Sequence, residues 1–173
     1  MRKLLSLFLS WFKRNRVGIT PADFWALGPK SAPDITSDKV QQIEERLDIK
    51  LPTELIALLK VRNGGYTKGF VFPTQKPTSW SENCVPFYEI LDLEISNLEM
   101  TYFNSIEAQE RRIPAKQILI SGDGHFFISL DYRQSKNPSV AWIDTEMDEE
   151  LQLANSFKEF MEGIVDEDTF EVK

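Results

Sequence analysis

The sequence predicts an α+β domain with a mainly antiparallel β-sheet flanked by α-helices. Helical spacing and capping residues run up to Asn63-Gly64-Gly65, strand-like segments and turns dominate from Tyr66 to Ile143, and a capped amphipathic helix closes the pattern. A chain of 173 residues, 42% of them hydrophobic, suits a single core and is too apolar to remain disordered. The divisions read from it are a basic amphipathic helix at 1–18, a linker with a short helix at 19–34, the main domain at 35–165 and an acidic tail at 166–173.

Leu4, Leu5, Phe8, Trp11 and Phe12 recur at helical spacing, opposite Lys3, Ser6, Ser10 and Lys13. This uncharged run is too short to span a bilayer, and Lys13-Arg14-Asn15-Arg16 stands where a secretory signal would carry small residues. A peripheral membrane contact fits the stripe. Leu7 and Leu9 widen the apolar face and favour packing on its own domain or on a second subunit. Next, Thr20-Pro21-Ala22-Asp23 has the hydroxyl, first-turn proline and carboxylate of a helix start, with Phe24, Trp25 and Leu27 to bury.

Thr36 or Ser37 caps a clearer helix whose Val40, Ile43 and Leu47 share a side while Glu44, Glu45 and Arg46 face outward. Pro52-Thr53-Glu54 opens another, burying Leu55, Ile56, Leu58 and Leu59, and Asn63-Gly64-Gly65 is the expected left-handed stop. Tyr66 to Phe72 and Val85 to Ile90 read as strands joined by a loop holding Pro73, Pro77 and Trp80. Ile95 to Arg112 reads as mostly helical through Leu98, Tyr102 and Ile106. Ile118 to Ile120 is a short strand ending in a turn at Ser121-Gly122-Asp123-Gly124. Phe126, Ile128, Leu130 and Tyr132 alternate against Phe127, Ser129 and Asp131, and Val140 to Ile143 pairs antiparallel with them. Ser156 and Glu159 form a capping box for the last helix, whose stripe is Phe157, Phe160, Met161 and Ile164.

The net charge of −7 divides into +5 over residues 1–18, −3 over 19–140 and −9 over 141–173. That balance argues against direct nucleic-acid binding, which needs clustered Lys and Arg. His125 is the single histidine and Cys84 the single cysteine, so no ordinary zinc set forms. Asp144, Glu146 and Asp148 alternate as calcium ligands do, but the turn glycine and distal glutamate are missing, and a solvated acidic loop is the expectation. Cys84 or Ser121 beside His125 has neither a nucleophile elbow nor a cysteine-protease context. Gly122-Asp123-Gly124 lacks the third glycine of a dinucleotide fingerprint. No cofactor is expected. Trp80, in a polar loop, is the best placed aromatic for an exposed anchor.

Taken in series, Ile35-Thr36, Val40, Ile43-Glu44, Leu47, Ile49-Lys50-Leu51-Pro52, Leu55, Leu58-Leu59 and Asn63-Gly64-Gly65-Tyr66 resemble the opening of the SUKH superfamily, the Smi/Knr type. The likeness continues through Phe72-Pro73-Thr74, Thr78-Ser79-Trp80, Ile118 to His125, Leu130 to Arg133, Trp142-Ile143-Asp144 and the Ser156 to Gly163 helix. It spans Ile35 to Val165, and Phe24-Trp25 resembles the aromatic pair that often precedes such a domain.

The resemblance implies an α+β fold without enzymatic activity. It also implies a cytoplasmic bacterial immunity protein, whose partner is a cognate polymorphic toxin held by stoichiometric occlusion. The resemblance implies too that many such toxins are nucleases, whose basic clefts an acidic protein can occupy by charge complementarity. The candidate partner-binding residues are Trp80, Asp123, His125, Glu146, Asp148, Glu149 and Glu150, read as lying near one sheet end. The alternative is a regulatory or scaffolding protein for an endogenous partner, the role of fungal relatives, held at a membrane by residues 1–18.

Overall fold

The computed structural model describes residues 19–28, 33 and 35–171, with the side chain of Asp123 excepted. The amphipathic helix read at 1–18 and the placement of the Asp123 carboxylate lie outside the described residues. Along the chain come α1 (Pro21–Phe24), α2 (Ser37–Leu47), α3 (Thr53–Val61), β1 (Gly65–Pro73), β2 (Cys84–Ile90), α4 (Ile95–Tyr102), α5 (Ile106–Glu110), β3 (Gln117–Asp123), β4 (Phe126–Asp131), β5 (Ser139–Asp144), β6 (Glu149–Ala154), α6 (Phe157–Gly163), β7 (Val165–Asp166) and a 3-10 turn (Glu167–Thr169). The fold is α+β. Its strands form a three-stranded sheet ordered β2-β1-β7 and a four-stranded sheet ordered β3-β4-β5-β6, with every pair antiparallel.

Local chemistry accounts for the helices. Thr20 Oγ1 accepts from the Asp23 amide at 3.3 Å and donates to the Asp23 carboxylate at 2.6 Å, closing the short α1 on itself. Thr36 caps α2, which buries Val40, Ile43 and Leu47 as its periodicity requires. Ser156 caps α6, and the Glu159 carboxylate reaches back to the Asn155 amide at 2.8 Å, one residue earlier than an ideal capping box.

One core joins both sheets to the helices. Phe70 and Phe87 of the smaller sheet, Ile118, Ile128 and Trp142 of the larger, Ile43, Leu55 and Leu59 of α2 and α3, and Phe160 of α6 belong to the same buried cluster. The Leu91 amide donates to the Ile120 carbonyl at 2.8 Å, tying the exit of β2 to β3. Phe24 stacks on Phe70 with centroids 5.4 Å apart, and the Trp25 indole donates to the Leu58 carbonyl at 3.3 Å. Leu27, read as buried with them, is exposed, one residue beyond the Ala26 amide that bonds the Tyr66 carbonyl at 3.0 Å.

Other expectations change for identifiable reasons. The region read as mostly helical over Ile95 to Arg112 holds two helices, separated at Phe103–Ser105, where Asn104 adopts a left-handed conformation and Ser105 recaps the chain. Ile106 is therefore exposed, while Ala108 and Ile113 cover Phe127 and bury the second face of β4 as well. Ser121 to Asp123 stay in β3, so the turn is only Gly124–His125. Gly122 is indispensable there: its φ is +123°, and a Cβ would lie 2.1 Å from the Phe126 carbonyl oxygen. Of the acidic loop read at Asp144, Glu146 and Asp148, the last two lie exposed on a turn as expected but Asp144 is buried, and β6 follows at once, its Leu151 and Leu153 alternating with Glu150 and Gln152.

α3 ends on an extended Arg62, and of the stop read at Asn63-Gly64-Gly65 the two glycines take positive φ, +87° and +137°, while Asn63 does not. Asn63 is instead fully buried, donating to the Pro33 carbonyl at 3.0 Å and accepting from the Leu93 amide at 3.1 Å. Asn63→Ala would strip partners from two backbone groups, and the expected loss is roughly 1–3 kcal/mol in urea unfolding with an unchanged m-value. A loss within error would show that water replaces the side chain.

Candidate protein-binding surface

Phe126, Asp144 and Glu149 form a row across one end of the four-stranded sheet, since Phe126 pairs with Asp144 and Asp144 with Glu149. Side chains opposite one another share a face, so this row lies on the face that also holds Ile128, Trp142 and Leu151. The connection between β1 and β2 closes over that end. Ser79 donates its hydroxyl to Asp144 Oδ2 at 2.6 Å and its amide to Glu149 Oε2 at 2.8 Å. Asp144 Oδ1 meanwhile accepts the Glu146 and Met147 amides at 2.9 and 3.0 Å, shaping the β5–β6 turn.

Asp144 is only 3% exposed, yet both its oxygens are bonded. Burial pushes its pKa up, but the Ser79 hydroxyl, the two turn amides and the nearby His125 outweigh burial and hold the group below its ordinary value. One buried carboxylate thus shapes its own hairpin and anchors a loop 65 residues earlier.

The anchored loop presents Trp80. Its ring stands 5.3 Å from Phe126 and 6.4 Å from Tyr88, and Phe126 stacks on the buried Trp142 at 5.3 Å. The indole remains 43% exposed, so one side rests on an aromatic run reaching the core and the other meets solvent. Tyr88 is fixed in turn by a hydrogen bond to Glu167, just after β7. Burial first, then this carboxylate, raises its phenol pKa. An amphipathic aromatic on a rigid support is the usual anchor of a protein interface.

The candidate residues do not all meet here. Trp80 and Glu149 join through Ser79, and Glu146 and Asp148 are exposed on the adjoining β5–β6 turn with Met147. His125 occupies the neighbouring β3–β4 turn, its carbonyl accepting from the Thr145 amide and hydroxyl at 2.8 and 3.0 Å. Glu149 spends an oxygen on the loop tether, whereas a solvated partner-facing acid would not. Glu150 lies on the opposite face and pairs at 2.6 Å with Arg133, which also grips Asp131 at 2.7 Å. The surface is also less uniformly acidic than the charge count implies, because Arg111 and Arg112 line a hollow of about 500 Å³ beside His125 and Glu146. Sequence reasoning missed Ser79, Asp144 and Phe126 as the supports of Trp80. The local signal was Thr78-Ser79 next to the tryptophan and an aspartate ending a strand.

Cys84 is buried against Ser81, and burial raises its thiol pKa, while Ser121 is buried within β3. Neither presents a nucleophile to solvent. No group of three or more metal-ligating side chains forms among the described residues, and no helix among them is long and apolar enough to cross a membrane.

The fold and this surface define an α+β domain that displays a partly exposed tryptophan on a tethered loop. Over residues 34–163 the sequence matches the SMI1 / KNR4 family (SUKH-1), and the chain belongs to that family. It is also similar to the immunity protein YxxD of Bacillus subtilis (strain 168), 21% identical over 136 residues that cover 79% of this chain and 84% of the relative. No solved structure gives a significant match.

A group whose pKa is lowered on folding stabilises the protein fully above its unfolded value, and this stability drains as pH falls through the folded value. For Asp144 the loss therefore begins below about pH 4, the unfolded aspartate range. Asp144→Asn is expected to lower stability at pH 7 by about 1–3 kcal/mol and to flatten the acid limb of a Tm–pH curve. An acid limb identical to that of the parent would show that Asp144 contributes nothing to it.

Proposed function

We propose that this chain is a non-catalytic immunity protein that binds a cognate protein toxin and occludes its active cleft. The observation that carries the reading is similarity to an immunity protein across most of both chains, within a shared family. The surface supports it. A tryptophan seated on Phe126 and Tyr88 loses little conformational freedom on binding, and the exposed Met147, Glu146 and Asp148 extend the contact around it.

The net charge of −7 favours a basic partner through steered association, and a nuclease cleft has that character. Binding takes place in the cytoplasm of the producing cell, before the toxin reaches its own substrate. Occlusion needs no chemistry from the immunity protein, only affinity.

Co-expression with a toxin encoded beside this gene tests the proposal. The expected result is a stoichiometric complex and restored growth, with Trp80→Ala weakening affinity at least about tenfold at nearly unchanged Tm. A folded protein that neither binds nor rescues would refute the reading. Rescue unaffected by Trp80→Ala would move the interface elsewhere.

A further inference from the structure

The four-stranded sheet ends on β6, and its outer edge faces a groove of about 770 Å³. One wall is Phe72 to Lys76 at the end of β1, and the other is Glu159, Glu162 and Gly163 of α6. Leu151 and Leu153 of β6, both half-buried, line the groove as well. Gly163 lets the helix approach closely, since a Cβ there would stand 2.6 Å from the Phe72 ring.

The backbone direction along this edge follows from the register. The Thr145 amide bonds the His125 carbonyl, so the neighbouring pair Phe126–Asp144 exchanges no bonds between β4 and β5. Asp144 consequently turns its amide and carbonyl toward Glu149, and Trp142 turns its own toward Leu151. The alternate residues Glu150 and Gln152 must point their N–H and C=O groups out of the sheet. Among the described residues, neither backbone unit meets another partner.

The remaining edges are better protected. β3 receives the Leu91 amide, β2 carries Pro86, and β7 has only two residues. β6 contains neither proline nor lysine, and its one irregularity lies at its far end, beyond Gln152.

We propose that β6 takes an extended peptide segment of a partner protein as a fifth strand, with alternating apolar and basic side chains. Apolar residues would settle on Leu151, Leu153 and Phe72, and main-chain bonds would form to Glu150 and Gln152. The charge selects the occupant: Glu159 and Glu162 border the groove against Lys76, and Glu150, paired with Arg133 on the other face, adds a third carboxylate at its rim. A second copy of this chain would bring the same carboxylates face to face, which disfavours self-pairing through β6. The proposal stands apart from the toxin reading and needs no toxin for its test.

The probe is a capped seven-residue peptide of alternating Val and Lys, titrated into the full chain and followed by amide hydrogen exchange. Exchange at Glu150 and Gln152 is expected to slow at least about tenfold, while a Val/Glu peptide of the same length has no effect. Gln152→Pro removes an outward N–H at an edge position where proline is tolerated, and should abolish binding with the fold retained. A Val/Lys peptide N-methylated on alternate residues should fail on the unmodified protein, which keeps the test valid should Gln152→Pro not fold. Absence of binding, binding without protection of these two amides, or equal binding of the N-methylated peptide would overturn the proposal. A dimer in sedimentation that Gln152→Pro dissolves would overturn it too, since a second copy would then occupy the edge.

Discussion

The structure depends most on one buried carboxylate. Asp144 sits where a strand ends, almost without exposure, and a charge in that position is tolerable only if its oxygens are bonded. The local turn supplies two amides, and the remaining oxygen takes the Ser79 hydroxyl. Satisfying Asp144 therefore fixes where the β1–β2 connection must lie. Glu149, directly across the hairpin, takes the Ser79 amide and makes the attachment two-pronged.

The candidate surface follows from that constraint. With Ser79 pinned, the next residue has little choice but to lie over Phe126, and Phe126 is itself held by stacking on Trp142. The path from solvent to core is thus Trp80, Phe126, Trp142, each ring supported by the one beneath. Tyr88 flanks it from the smaller sheet, fastened by Glu167. Both sheets contribute, which explains why a domain with one continuous core can present a rigid anchor on a loop. Rigidity before binding spares the entropy that ordering the loop would otherwise cost.

Much of this was legible from local patterns. The caps at Thr36 and Ser156 and the pairing of β4 with β5 rest on residues close in sequence, and the structure keeps them. Trp80 was legible as an exposed aromatic because a large ring in a polar loop is conspicuous. β6 was concealed because its acids suggested solvent while its two leucines made too short an alternation. The second buried face of β4 depends on α5, whose position no local pattern encodes. Asn63 resembled a helix stop, yet it serves as a clamp between Pro33 and Leu93, 30 residues away on either side. The tether was the least accessible feature: a serine and two carboxylates far apart in the chain acquire meaning only once the hairpin and loop meet.

The central claim is that Trp80 is presented by a loop locked to the sheet, and the Ser79 amide reports on this directly. Ser79 is an exposed loop residue, and its amide has no strand partner, so only the bond to Glu149 can protect it. Native-state hydrogen exchange should show this amide slowed at least about tenfold relative to an unstructured chain, with the protection lost in Glu149→Ala. Exchange at the unstructured rate in the parent protein would contradict the account, because the loop would then be free and Trp80 unsupported.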